Sequence, residues 1–204
     1  MAITNGYCAL SEIKTYIGLS GSGQDTNLES AVESASREID QYCGRIFYET
    51  TSQVRTYTPT NRYELEVDDI STDTGLVVKL DTTDDGSYDT TLTINTDFIV
   101  SPVNRSNVLD QNQPITMLKI LDKRSSERFD VDIINNVQVT AKYGFSSVPS
   151  AIKQATFLQA TRLFKRKDSP FSTYGNPQTG TAELFNRFDP DALKLIKGYT
   201  KYRL

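Results

Sequence analysis

The chain has 204 residues, enough for one domain or for a core with an insertion, and 37% of them are apolar, which is slightly low for a compact globular protein. The absence of histidine excludes Ser-His-Asp and Cys-His catalytic arrangements, and two cysteines alone cannot close a zinc site. The net charge of −4 is unevenly distributed: residues 1–150 contain 12 basic and 22 acidic side chains, and residues 151–204 contain 10 and 4. This asymmetry indicates either two faces with different partners or a solvated acidic surface with a basic C-terminal helix.

Helical spacing marks the first part of the chain. A short helix is predicted from Ser11, its N-cap, to the residue before Gly18, which ends it in a left-handed conformation. Thr26 and Glu29 have capping-box spacing, and apolar residues three and four apart continue from there up to Gly44. The sequence therefore predicts an amphipathic helix that Thr26 caps and Gly44 terminates.

The two cysteines, Cys8 and Cys43, flank these helices. We expect both to be reduced and partly buried, as free cysteines usually are. A single disulfide that ties the N-terminus to the second helix is the alternative.

Eight segments between Phe47 and Tyr143 resemble strands, and many alternate apolar and polar residues. Because no crossover helix lies between them, we expect antiparallel pairing. The segments are 54–57, 63–67, 76–80, 92–94, 98–100, 117–121, 129–133 and 137–143.

Two further helices are predicted after the strands. Pro149 suits the start of the first, which extends to about Lys167 and is apolar around much of its circumference. Either the chain's own fold or a neighbouring subunit covers that surface. The polar composition of segment 168–180 predicts a mobile loop or linker. Asp189 then caps the last helix, with Pro190 at its first position.

Three charged segments are candidate sites by composition. The loop 81–86 has part of a calcium-binding pattern, but Leu92 occupies the position that requires glutamate, so a hairpin turn is predicted. The carboxylates of 64–69 alternate with apolar residues, as on the wet face of a strand. The basic residues 165–167 fit the C-terminal end of a helix and lack an accompanying DNA-recognition motif. We therefore expect no metal, no cofactor and no enzymatic activity.

The order of these elements resembles that of the head–tail connector (adaptor) proteins of long-tailed bacteriophages. The likeness rests on short motifs: the helix of 10–17, the helix end Tyr42-Cys43-Gly44-Arg45 with Phe47, the strand 137–144 followed by Val148-Pro149, the helix end 163–166 and the closing helix of 189–203. The resemblance implies an α+β fold in which N- and C-terminal helices (1–50 and 144–204) form the connector core and 51–143 form an antiparallel β-rich insertion.

The resemblance also implies a structural role in the virion neck, after assembly in the cytoplasm of a bacterial host. Twelve copies are expected to form a ring on the portal protein, with a downstream neck, stopper or tail protein on the other side. DNA passes through the lumen without sequence-specific binding, and no membrane is involved. The residues expected to dock on the portal are Leu193, Lys194, Ile196, Lys197, Tyr199 and Arg203, and those expected to pack between subunits are Phe157, Leu158 and Phe164.

An alternative function is a β-rich accessory domain on a virion or cell surface that binds a ligand such as a glycan. Tyr57, Tyr63 and Tyr88 are the candidates for stacking on sugar rings. Cross-strand packing explains isolated tyrosines on strands equally well.

Overall fold

The computed structural model describes residues 3–105, 113–166 and 188–201. It has an α+β fold in which the chain forms two compact units. The helical unit comprises Met1–Ile46 and Val148–Leu204, and the β unit comprises Phe47–Ser147. The polar segment 168–180 lies outside the described residues, as does Arg203. No helix in the described ranges has the length and apolar character that crossing a membrane requires.

Within the described residues, four helices build the helical unit. They are α1 (Leu10–Ile17), α2 (Asp25–Cys43), α3 (Ser150–Arg166) and α4 (Pro190–Ile196), and a 3-10 turn (Lys197–Tyr199) follows α4 directly. Helix α2 packs against α3, and α3 packs against α4. The apolar core between α1, α2 and α3 consists of Cys8, Ile13, Leu28, Ala31, Val32, Ala35 and Ala160.

Both predicted N-caps in the first part of the chain are wrong. Helix α1 begins at Leu10, so Ser11 lies inside its first turn, and the Glu12 carboxylate accepts from the Ala9 N–H at 2.8 Å instead. Helix α2 begins at Asp25, so Thr26 is already helical. Asp25 suits the first turn because its carboxylate lies near the positive end of the helix dipole, and it also pairs with Lys14 at 2.7 Å.

The described part of the β unit has seven strands: β1 (Ser52–Tyr57), β2 (Glu64–Ile70), β3 (Val77–Leu80), β4 (Thr90–Leu92), β5 (Phe98–Ser101), β6 (Ile115–Ile120) and β7 (Val137–Lys142). They form a four-stranded sheet of order β1-β7-β3-β4 and a three-stranded sheet of order β2-β6-β5. All of these pairings are antiparallel, as predicted. The inward side chains of both sheets, such as Leu65 and Leu118 on one and Val78 and Val139 on the other, share a single core.

The predicted strand at 129–133 is wrong, because this segment is irregular. The Asp130 carboxylate accepts from the Asp132 N–H at 2.9 Å, and the Asn136 side-chain amide donates to the Asp130 carbonyl at 3.0 Å. Such local side-chain bonds curl the backbone and compete with strand pairing. Phe129 is nevertheless buried in the shared core, which explains the apolar signal in the sequence.

Candidate docking surface

The C-terminal segment, defined here as residues 188–201, begins with a strongly capped helix. The Asp189 carboxylate accepts from the N–H groups of Asp191 at 2.9 Å and Ala192 at 3.2 Å. Pro190 occupies the first turn, where its missing N–H is not needed. The sequence-based prediction for this helix start is therefore confirmed.

Polar contacts fasten the beginning of α4 to the rest of the helical unit. The Gln159 side-chain carbonyl accepts from the Asp189 N–H at 3.0 Å, while its amide group donates to Glu38 on α2 at 2.6 Å. Arg162 lies 4.0 Å from the Asp189 carboxylate. Gln159 is fully buried, so its two bonds tie α2, α3 and the start of α4 together.

The other end of the segment closes the C-terminus of α2. The Lys201 N–H donates to the Cys43 carbonyl at 2.8 Å, and the Arg45 guanidinium donates to the Tyr199 carbonyl at 3.3 Å. The last carbonyls of a helix lack intrahelical partners, so Lys201 supplies one that α2 cannot. Gly44 ends α2 with φ of 66°, as predicted.

Burial shifts the pKa values of three groups in the helical unit. Burial raises the pKa of Cys43 to about 11 and that of Cys8 to about 12, so both thiols are protonated at neutral pH. Both cysteines are free, as expected. Burial also raises the pKa of Asp40 on α2 to about 6, against the opposing effects of the Tyr7 hydroxyl, which donates to it, and of Arg37.

The structure divides the residues predicted to dock on the portal. Ile196 is fully buried and Tyr199 is 9% exposed, so both hold the segment to its own subunit. Lys194 and Lys197 are exposed, and Leu193 is half-buried. Among the predicted residues that the structure describes, only the last three present a surface to another protein, because the fold already covers the apolar side chains of Ile196 and Tyr199.

The residues predicted to pack between subunits lie on α3 and are half-buried. Phe157 stacks on Tyr16 with ring centroids 5.1 Å apart, and Phe157 and Phe164 both pack against the core of the helical unit. Leu158, which follows Phe157 in the sequence, is also half-buried. The chain's own fold thus covers part of this surface, and a subunit contact remains a proposal.

The other charged segments have structural partners. Glu64 pairs with Lys119 and Asp68 pairs with Arg55, at 2.8 and 2.7 Å. The Asp81 carboxylate accepts from the N–H groups of three loop residues, Thr83, Asp84 and Gly86, at 2.8 to 3.1 Å. Within the described ranges, no group of acidic or thiol side chains is arranged to hold a metal ion.

Sequence reasoning missed Gln159, Lys201 and the role of Arg45. Gln159 and its partner Glu38 are 121 residues apart, and Arg45 and Tyr199 are 154 apart. Only Arg45 had a signal, because it lies in the helix-end motif that carried the family resemblance.

Comparison with known proteins gives one family match, which covers the first part of the chain. Residues 7–81, which contain α1, α2 and the first three strands, match the family model described as phage gp6-like head-tail connector protein. The resemblance to phage head–tail connectors is confirmed. No curated protein matches the sequence.

Solved structures share this fold over the full length of the chain. A protein in the neck of an empty GTA particle, computed with C6 symmetry, is 13% identical with a TM-score of 0.56. One in the neck of a native GTA particle, computed with C12 symmetry, is 14% identical with a TM-score of 0.55. One in the virion of a native gene transfer agent particle is 15% identical with a TM-score of 0.52. Each alignment covers 100% of this chain and 94% of the other chain.

Proposed function

We propose that this protein is a structural component of a phage-like virion neck, and not an enzyme. It acts as a head-to-tail adaptor that forms a ring, of twelve copies, between the portal protein and the next neck, stopper or tail protein, and DNA passes through the lumen. The match of residues 7–81 to the connector family carries this proposal. The fold shared with neck proteins of gene transfer agents supports it.

In this proposal the helical unit, built from N- and C-terminal helices, is the connector core, and the β unit is an insertion. The helical unit contains 13 basic and 10 acidic residues, whereas the β unit contains 9 and 16. An acidic wall suits a DNA channel because it does not hold phosphates as a basic wall does. The basic surface of the helical unit suits a partner with an acidic surface, such as the portal.

The portal contact is assigned to the outer surface of the C-terminal segment, through Lys194, Lys197 and the half-buried Leu193. Ile196 and Tyr199 act as positioning residues, because they hold this surface against α2 and α3. Deleting 189–204 would therefore remove buried side chains from the core of the helical unit and would mix a folding defect with a docking defect.

Charge reversal tests the portal contact without disturbing the fold. Lys194→Glu/Lys197→Glu is expected to reduce binding to the cognate portal at least tenfold in a pull-down quantified by native mass spectrometry. The matched control is Lys165→Glu/Arg166→Glu, which reverses two exposed charges at the end of α3 and should bind as the wild type does. Equal losses in both variants would remove the C-terminal segment from the portal contact. Absence of any wild-type ring on the portal would refute the adaptor function.

The glycan-binding alternative gains no support from the tyrosines on which it depends. The Tyr57 hydroxyl bonds to Asp68 at 3.2 Å, and the Tyr88 hydroxyl donates to the Asn135 carbonyl at 2.7 Å. The Tyr63 ring faces the Arg128 guanidinium at 5.2 Å. Intramolecular packing accounts for all three.

A further inference from the structure

The two sheets of the β unit have outer faces of opposite chemistry. On the four-stranded sheet, strand register aligns Val54, Thr140 and Val77 in one row, and Lys79 and Lys142 flank that row. These five residues define the lysine face. Val54 is 59% exposed and Val77 is 38% exposed, so the centre of the face is apolar and accessible.

The outer side of the three-stranded sheet has the complementary pattern. Register pairs Glu64 with Lys119 and Glu66 with Met117, and Ile99 lies beside Lys119 on the opposite side. These five residues define the carboxylate face. Met117 and Ile99 are half-buried, so this face also has apolar side chains at its centre.

The charges on these faces are not those of the β unit as a whole. The unit contains 16 acidic residues, yet the strand positions of the lysine face include none of them. Lys79 has no ion-pair partner among the described residues, and neither does the exposed Glu66. Each face therefore offers one charge that a partner of opposite sign can satisfy.

Because the two sheets pack on a shared core, their outer faces point in opposite directions. A contact between two different surfaces of identical chains is heterologous, and repetition of such a contact builds rings. We propose that the carboxylate face of one copy docks on the lysine face of the next copy. This inference rests on the proposed ring and identifies which surfaces of the β unit form it.

The size of the faces explains how the contact works in assembly. The four strands are three to six residues long; at a spacing of ~4.8 Å and ~3.4 Å per residue they cover about 300 Å². Stable interfaces bury about 800 Å² per partner, more than twice this area. The contact by itself is therefore weak, and the ring forms at high local concentration, such as on the portal.

Cysteine cross-linking tests the geometry. The native cysteines are buried and protonated, so cysteines introduced by Val54→Cys and Met117→Cys are the reactive ones. With a short bismaleimide, the double variant on the portal should give a ladder of products beyond the dimer, and each single variant should give none. The control Val103→Cys/Met117→Cys uses a residue that is 70% exposed but on neither face. A ladder of equal yield in this control, or dimers from Val54→Cys alone, would overturn the proposal.

Charge reversal tests the pairing independently. Lys79→Glu or Glu66→Lys in the double-cysteine chain should lower the ladder yield at least fivefold, and the two reversals together should restore it. Lys123→Glu, in an exposed turn outside both faces, should leave the yield unchanged. If wild-type rings form on the portal but the charge reversals leave the ladder yield unchanged, the face assignment is wrong and the adaptor function stands. If no ring forms on the portal, the adaptor function itself fails.

Discussion

Gly44→Ala is the most informative substitution in the helical unit, because Gly18 provides a control with the same backbone. Gly44 has φ of 66° and Gly18 has φ of 67°, and each ends a helix. A side chain in this left-handed region costs roughly 1–2 kcal/mol at either position. A Cβ at Gly44 would lie 3.3 Å from the Lys201 carbonyl oxygen, whereas a Cβ at Gly18 has no heavy atom within 4 Å.

Both variants introduce the same backbone strain, so any further loss in Gly44→Ala reports on the attachment of the C-terminal segment to α2. The Lys201 backbone must move by a few tenths of an ångström, and this weakens the bond from its N–H to the Cys43 carbonyl, now 2.8 Å long. Losing one such hydrogen bond costs about 1 kcal/mol, which corresponds to about a fivefold change in the opening equilibrium.

Hydrogen exchange measures that opening directly. Amides of 192–201 should exchange about fivefold faster in Gly44→Ala than in the wild type, on the magnitude of one hydrogen bond. In Gly18→Ala they should exchange at the wild-type rate, although both variants lower the free energy of unfolding. Equal exchange of this segment in the two variants would show that Lys201 does not anchor it to α2.

Three further predictions follow from buried groups. Ile196→Ala removes about 2–4 kcal/mol of packing from a fully buried position, so residues 188–201 should become sensitive to protease while α2 and α3 stay folded. The folded pKa of Asp40, about 6, exceeds the ordinary 3.8, so the native state binds the proton more tightly than the unfolded state does. The free energy of unfolding of the wild type should therefore fall as the pH rises from about 4 to 6. Asp40→Asn should abolish this fall, as measured by urea titration. Asp81→Ala should lower the free energy of unfolding of the β unit, measured by urea titration, because three N–H groups lose their acceptor. Calcium should leave the wild-type thermal midpoint unchanged, because those bonds already occupy the carboxylate.

The elements that could be predicted from the sequence are those that local chemistry determines. Gly18 and Gly44 end helices because few other residues tolerate φ near 66°. Asp189 caps α4 because its carboxylate reaches two N–H groups in the next turn. The alternation of β7 was equally clear, since Val137, Val139 and Ala141 face the core at every second position.

The sequence-based predictions fail where two local signals compete or where the contacting residues are far apart in the sequence. At 129–133 the apolar alternation predicted a strand, but the Asp130 side chain satisfied the neighbouring backbone and prevented pairing. Thr26 had capping-box spacing, but the ion pair of Asp25 with Lys14 lies one residue earlier, at the observed helix start. The burial of Ile196 was not predictable from the amphipathicity of a seven-residue helix, which does not reveal whether its partner is the same chain or another.

The two folded units differ in net charge: the helical unit is slightly basic and the β unit is acidic. The basic residues after 150 share a unit with the acidic helix α2, which leaves a small positive excess there and concentrates the negative charge in the β unit. Adjacent β units in a ring would therefore repel one another over the Debye length of about 8 Å at physiological salt. A contact between them requires a charge that offsets this repulsion; Lys142 already pairs with Glu49, so Lys79 supplies that charge on the lysine face. If repulsion between adjacent β units dominated, added salt would increase the yield of the cross-linked ladder. If pairing of Lys79 with Glu66 dominates, added salt decreases that yield. In the second case, Lys79→Glu should make the yield increase with salt.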